Sequence, residues 1–436
     1  MKFARLSTAA GIGITLMVVC AAIAAESPTP SLSAALNLIL KEDRPLPALE
    51  MLRAGVESGK FPAATSAQFY AISGDALGTA QMNDRGAKTS EPEHPQIDRP
   101  EWVKRPALPE ILRASAGKQV VMLNEDHYHQ LHRAFGLLLL TELRKAGFTH
   151  FGAETFGSTL QESMSDGAPD LRTGVYTTDP LYADMARQAA ALGYSLFDYE
   201  QRSDQESSAG SSEDQRLVRE RAQAGNIAAI LKANPAARIF IFAGAGHIAE
   251  STEPDGREWM ALVLKKEHGI DPLTVNQVLG TPRSRPELDG ALYRSVSTGL
   301  SVPSVVQSTT GPLTAPGFDT IVFHPRQQLA NGRATWLGMN GYRHPCRVQI
   351  KPSRQVSLVR AFVASEAPRS IPMDQVLIPP DATVAPLMLP NGRYRLVRET
   401  LDGEQALGEG VLGPSKESQD KADSKGDRCL RSAANS

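Results

Sequence analysis

Between residues 109 and 280 the chain alternates short apolar runs with longer stretches of helical periodicity. Gln119 to Leu123 reads as a buried strand. The helix predicted from Leu131 to Ala146 carries Phe135, Leu138, Leu139 and Leu143 on one face and stops at Gly147. His150 to Ala153 is a second strand. A helix over Leu181 to Leu192, ended by Gly193, leads to a third strand over Ser195 to Tyr199. After a polar loop, Ser203 to Ser212, a long helix runs from Glu213 to about Ala233, and Arg238 to Ala243 is the clearest strand in the chain. A helix over Trp259 to Glu267 and a strand over Leu273 to Gln277 complete the pattern. Strands alternating with helices predict an α/β fold, a mostly parallel sheet with helices on both faces.

The flanks read differently. From Ser31 to about Leu77 apolar residues recur at helical spacing, punctuated by Pro45, Pro47 and Pro62, which predicts two or three short helices packed as hairpins. They faintly resemble tetratricopeptide-type helix pairs. A unit this small cannot bury its own apolar face, so it is expected to pack on the next domain. Residues 80 to 100 are polar and read as a connection. Beyond residue 281 proline and glycine become frequent, and the runs Thr320 to Phe323, Arg347 to Ile350 and Arg393 to Val397 read as strands of a small β-rich domain. The polar tail from Ser415 to Ser436 is expected to be disordered apart from Cys429. The organisation expected is therefore 1–25, 26–108 (helical region and linker), 109–280 (α/β), 281–414 (β-rich) and 415–436 (tail).

Composition adds an address. Residues 1 to 25 combine Lys2 and Arg5, an apolar run from Ile12 to Val19, and small residues from Ala21 to Ala25. That is the pattern of a secretory signal peptide cleaved after Ala24 or Ala25, its apolar run too short for a transmembrane span. Cys20 raises a lipid-anchored alternative, which the bulky Val19 disfavours. The expected location is periplasmic or secreted. Loss of the leader removes two positive charges and no negative ones, taking the formal charge from -2 to -4. A near-neutral chain gives no electrostatic case for nucleic acid or for an anionic membrane surface. No later stretch is apolar enough to be a transmembrane segment. Cys346 and Cys429 remain in the mature chain, and in an oxidising compartment they either pair or stay apart, since spacing in sequence does not fix their separation. No CxxC motif or Cys/His cluster accompanies them, so they are not read as a metal site.

The chemistry gathers where the strands end. Ligands of open parallel sheets bind beyond the carboxyl ends of the strands. Here the first strand ends in Asn124-Glu125-Asp126-His127, the second in Glu154, the third in Asp198-Tyr199-Glu200 and the fourth in Gly244-Ala245-Gly246-His247. Two carboxylates and two imidazoles in one crevice could bind a divalent cation or activate water. Each has an ordinary alternative: Glu125 and Asp126 as turn or helix-capping residues, His127, His129 and His132 as a solvated first turn, Glu154 as a cap. The functional reading rests on their occurring together.

The segment from Val120 to Glu154, VVMLNEDHYHQLHRAFGLLLLTELRKAGFTHFGAE, resembles the opening of the superfamily that holds erythromycin-esterase-like proteins, ChaN-like haem-binding lipoproteins and Tiki-type metalloproteases. Those proteins open with a strand ending in Gly-Glu-x-x-His or Gly-Glu-x-His, then a helix, then a strand ending in Glu. Asn124 stands at the glycine position, while Glu125 and His127 hold the Glu and His positions. Arg219 to Ile227 is similar to an Arg-Asp segment of the esterase branch, with Glu220 in place of Asp, and Phe242 to His247 looks like the strand that delivers a histidine. The resemblance spans residues 118 to 280. It implies a pocket lined by Glu125, His127, Glu154 and His247, with Arg219 adding positive charge.

The hydrolytic reading that follows has a histidine, held by a carboxylate, take a proton from water attacking an ester or amide carbonyl, with Arg219 facing the oxyanion. His127 is favoured as the base. If a divalent metal is present, Glu125, His127 and His247 are its expected ligands. The competing readings are a haem- or ligand-binding protein using the same crevice and an interaction scaffold. The partner expected is a small-molecule or peptide substrate. Oligomeric state is left open.

Overall fold

A computed structural model describes residues 31–89, 102–206, 211–413 and 431–432. The expected signal segment with Cys20, the Ser27 to Pro30 stretch, part of the polar connection, most of the tail and Cys429 fall outside them, and so does any pairing of Cys346, which is buried. No helix among the described residues is long and apolar enough to cross a membrane.

A parallel sheet of six strands forms the centre: β1 (Val120–Glu125), β2 (His150–Ala153), β3 (Ser195–Phe197), β4 (Ile239–Gly244), β5 (Leu273–Asn276) and β6 (Thr320–Ile321), in the order β3-β2-β4-β1-β5-β6. β1 and β4 are buried along their whole length. Their side chains alternate between two cores, as the period of a strand requires. Val121, Leu123, Phe151, Phe240 and Phe242 pack under helices α1 (Gln130–Lys145) and α2 (Pro180–Ala191). Val120, Met122, Ile239, Ile241 and Ala243 pack under α3 (Ser212–Ala233) and α4 (Met260–His268). Each fully buried Phe or Ile contributes about 1.5–3 kcal/mol by leaving water. Gly136 lets α1 lie close on the sheet, because a Cβ there would sit 2.9 Å from the Phe242 ring.

Local signals set the helix starts. Ser211 caps α3 in a capping box with Asp214. Asp179 caps α2, accepting the backbone N–H groups of Leu181 and Tyr182. The α/β fold is thus as expected, with two additions. A helix at Ala107–Ala114 packs into the core with Val121 and Leu273, and β6, read from sequence as a strand of the β-rich region, pairs instead with β5 in the central sheet.

The C-terminal region is antiparallel and β-rich. Strands β7 (His344–Gln349), β8 (Ser357–Val363), β9 (Asp374–Ile378), β10 (Val384–Leu389), β11 (Gly392–Thr400), β12 (Gly403–Leu412) and β13 (Arg431–Ser432) form a five-stranded sheet, ordered β9-β8-β11-β12-β13, and a β7–β10 pair. One core lies between them, with Cys346, Val359, Leu387 and Leu396 inside. Arg431–Ser432 pair with Gly410 and Val411 at the edge of the five-stranded sheet.

The N-terminal helices (Leu32–Leu40, Pro45–Glu57, Ala63–Tyr70 and Ala76–Asn83) pack mainly on this β region rather than on the α/β unit that follows them in sequence. Leu358 of β8 joins their apolar core, and Glu399 of β11 pairs with Arg44 and accepts the Leu46 N–H. The helices also touch the rest of the chain through Asp84, which pairs with Arg283 and accepts the Ser284 N–H, and through Phe69 and Gln68, which meet Tyr176.

Candidate active site

Because the strands are parallel, their carboxyl ends share one edge, and the register there is tight. Glu125 lies opposite Gly244, and the Glu154 N–H donates to the Phe242 carbonyl at 3.0 Å. β4 lies between β1 and β2, so the Glu125-His127, Glu154 and Gly244-His247 segments converge. The five residues named from sequence meet in one network.

Glu125 is fully buried. Its Oε1 faces His127 Nδ1 at 2.7 Å, and Arg133 of α1 forks onto it, Nε to Oε2 at 2.8 Å and Nη2 to Oε1 at 3.2 Å. Burial alone would raise this carboxyl, but Arg133 and then His127 outweigh it and hold it below the usual range. Arg133 also donates to the His127 carbonyl at 2.7 Å and lies 3.4 Å from Asp179. A carboxylate can only accept, so His127 Nδ1 carries the proton of that bond and Nε2 is the nitrogen left for chemistry. The ring stacks on Tyr176, centroids 4.0 Å apart, and its side chain is 17% exposed, enough to be reached from solvent.

Glu154 is the hub. Its Oε2 accepts the Gly244 N–H at 2.5 Å and lies 3.9 Å from His127 Nε2, while Oε1 accepts from Arg219 Nη2 at 3.2 Å and faces His247 Nε2 at 3.3 Å. Burial would raise it, but His247, His127 and Arg219 hold it far below the carboxylate range. Gly244 is required here: a Cβ would stand 2.8 Å from Glu154 Oε2 and 3.0 Å from His127 Nε2.

His247 has Nδ1 on Glu220 Oε2 at 2.8 Å, and its ring stands edge-on to Trp259. Burial would lower this imidazole, but hydrogen bonds to Glu154 and Glu220 prevail and push it up to about 10. It is therefore an imidazolium at neutral pH, with both N–H groups on carboxylates. Arg219 Nη1, 3.3 Å from His247 Nε2, then faces a donor, and among the described residues no acceptor remains for it. The rest of Arg219 is bound to Glu200, Nε to Oε1 at 2.9 Å and Nη2 to Oε2 at 2.5 Å.

The ordinary roles considered for these residues do not hold. His129, not Glu125 or Asp126, occupies the N-cap position of α1, and His129 and His132 are buried rather than solvated. Glu220 is fully buried and holds His247 Nδ1. Three participants escaped the sequence reading: Arg133, Glu200 as the Arg219 partner, and Tyr176. Arg219, Gln223 and Asn226 fall at i, i+4 and i+7 on α3, and Gln223 and Asn226 also bond to Glu200. That polar stripe at helical spacing was the available signal. Arg133 had none, since an eight-residue separation from Glu125 crosses a loop.

Among the described residues no group of three or more His, Cys, Asp or Glu is arranged to hold a metal ion. The reason is local: Arg133 and His127 take both oxygens of Glu125, and carboxylates take both nitrogens of His247. A cleft of about 820 Å³ lies elsewhere, lined by Leu131, Tyr293, Arg326 and Trp336 among others, and none of the five site residues borders it.

No protein-family model matches the chain, and no curated protein matches it. Among solved structures it is similar to the type III effector HopBA1, at 14% identity and TM-score 0.34 over 52% of this chain and 99% of that one. A second likeness is to RRSP, a MARTX toxin effector domain from Vibrio vulnificus, at 12% identity and TM-score 0.28, covering 67% of this chain and 59% of that one. A structure of bacterial protein toxins follows at 12% identity and TM-score 0.30, with 54% and 55% covered. Likenesses this distant carry no argument about activity.

Proposed function

We propose that this chain is an exported hydrolase of the erythromycin-esterase, ChaN and Tiki type, cleaving an ester or amide of a small molecule or peptide. The observation that carries this reading is the Glu125–His127 pair at 2.7 Å, with Nε2 turned toward Glu154 and the His247–Arg219 cations. The signal-like first 25 residues support the export part.

The two histidines take different roles. His127, oriented by Glu125, accepts a proton from water at Nε2 as the water oxygen bonds to the carbonyl carbon. Glu154, 3.9 Å from Nε2, is within reach of that same water. The carbonyl electron pair moves onto its oxygen, where the free Nη1 edge of Arg219 and the His247 imidazolium offset the new charge. Collapse of the tetrahedral intermediate expels the alcohol or amine, which takes the proton back from His127, leaving an acid and the free enzyme. His247 is a poor base because its lone pair is already committed to a proton.

A panel of nitrophenyl esters and nitroanilides tests this. Turnover in the wild type that falls by about 10²–10⁴-fold in Glu125→Gln and His127→Ala is the expected result. Full activity in either variant would show the assignment to be wrong.

A further inference from the structure

Behind the site lies a buried imidazole that the mechanism does not use. His132, in the first turn of α1, is 1% exposed and touches the loop between Glu125 and His127. Its Nδ1 accepts the Asp126 N–H at 2.9 Å, and its Nε2 lies 2.9 Å from Thr281 Oγ1. The Thr281 hydroxyl spends its own proton on the Gln277 carbonyl at 2.8 Å, so His132 Nε2 must donate to it. The lone pair therefore stays on Nδ1, where the Asp126 N–H needs it. Both ends of the ring demand the same tautomer.

The same network grips the residue before Glu125. Gln277 donates through Nε2 to the Asn124 carbonyl at 2.7 Å, through its backbone N–H to Asn124 Oδ1 at 2.8 Å, and accepts at Oε1 from His324 Nε2 at 3.0 Å. Asn124 and Asp126, on either side of Glu125, are thus fixed from one side by Gln277 and His132.

We propose that His132 is a positioning residue for the Glu125–His127 pair, holding the Asp126 amide as a hydrogen-bond acceptor and releasing it when Nδ1 gains a proton. The proposal rests on the hydrolase reading for its kinetic consequence, though not for its structural one. A second proton would set an N–H against the Asp126 N–H at 2.9 Å beside a buried ring, so the loop must move. The surroundings oppose that proton. On α1 and its start, His129 stacks at 4.9 Å and Arg133 adjoins; His324 lies at 5.9 Å. From the segment after β5 come Thr281 and Arg283, and Asp84 of the helical region pairs with Arg283. Asp126 is the acid next to the bond itself. Burial first, then His129, His324 and Arg133, keep His132 well below the usual imidazole range.

Two substitutions separate positioning from filling space. His132→Asn keeps an acceptor oxygen near the Nδ1 position and cannot be charged; His132→Leu keeps the bulk and loses the acceptor. Backbone amide exchange, corrected for the intrinsic pH effect, reads the Asp126 N–H directly. Protection in the wild type and the Asn variant, lost in the Leu variant, is expected. Acidification should remove it from the wild type and spare the Asn variant. With a turned-over ester, kcat should fall by about 10²-fold in the Leu variant with KM little changed, and stay near wild type in the Asn variant. A Leu variant that retains Asp126 protection, or an Asn variant that loses it as fully as Leu, overturns the proposal. If the wild type hydrolyses nothing, the hydrolase reading fails, and the exchange measurement alone decides the role of His132.

Discussion

A carboxyl group wholly out of water would ordinarily keep its proton, yet Glu125 is held below the usual range. Arg133 makes the difference, and its guanidinium is as deeply buried as the carboxylate it serves. Breaking one member of a buried pair leaves an uncompensated charge, whereas removing both does not. Arg133→Met should therefore lower the free energy of unfolding by about 3–5 kcal/mol, and adding Glu125→Gln should recover part of that loss. Urea unfolding of the two variants checks this; equal stability of wild type and Arg133→Met would deny the pair its role. Glu125 and His127 were legible in the sequence because a strand must end somewhere and these ended it. Arg133 was not, because which helical residue returns to a strand end depends on the conformation of the loop between them.

At the scale of elements, α3 shows how one helix can carry both a core and a site. Ala224, Ile227 and Leu231 pack on the sheet, while Glu220 and Gln223, equally buried, turn to its carboxyl edge. Glu220 grips His247 and also accepts the Met260 N–H at 2.9 Å, so it joins α3, the end of β4 and the start of α4. Removing its charge should leave His247 with Glu154 alone. In Glu220→Gln the His247 titration should fall from about 10 toward the ordinary imidazole value, measurable by NMR of the ring protons; an unchanged midpoint would mean that Glu154 alone sets it. Helices of nine residues or more in the α/β unit could be read from periodicity to within a residue or two. β8, β9, β10 and β12 were missed: β8 and β9 are buried almost throughout although they carry Arg360, Asp374 and Gln375, while β10 and β12 mix buried and exposed positions, so neither kind shows a clean two-residue alternation.

For the molecule as a whole, the buried histidines set how stability depends on pH. His129 and His324, pushed down by burial to about 4 and about 3, are neutral when folded and take protons more readily unfolded. Their contribution is complete above about 6.5 and is lost as pH falls toward those values. His247 works the other way: raised to about 10, its contribution is complete below about 6.5 and drains away as pH rises through its folded value. Asp126, raised to about 6 by burial, adds a smaller loss between its unfolded value and that point as pH rises. Urea midpoints measured from about pH 4 to about pH 10 should therefore trace a dome with its top near neutrality. A profile flat through the alkaline arm would rule out the His247 imidazolium. The α/β class was legible from alternation alone, whereas the docking of the N-terminal helices on the distant β region was not, since it depends on which apolar face is nearest in space.

Two histidines divide the work across one sheet edge, His127 as base and His247 as cation, in the proposed reaction. Nitrogen NMR of the imidazole rings at about pH 8 tests it most directly, because each ring nitrogen reports whether it carries a proton. The result expected is a proton on Nδ1 of His127 and protons on both nitrogens of His247. A bare nitrogen on His247, or a neutral His127 ring with its proton on Nε2, would contradict the assignment of base and cation.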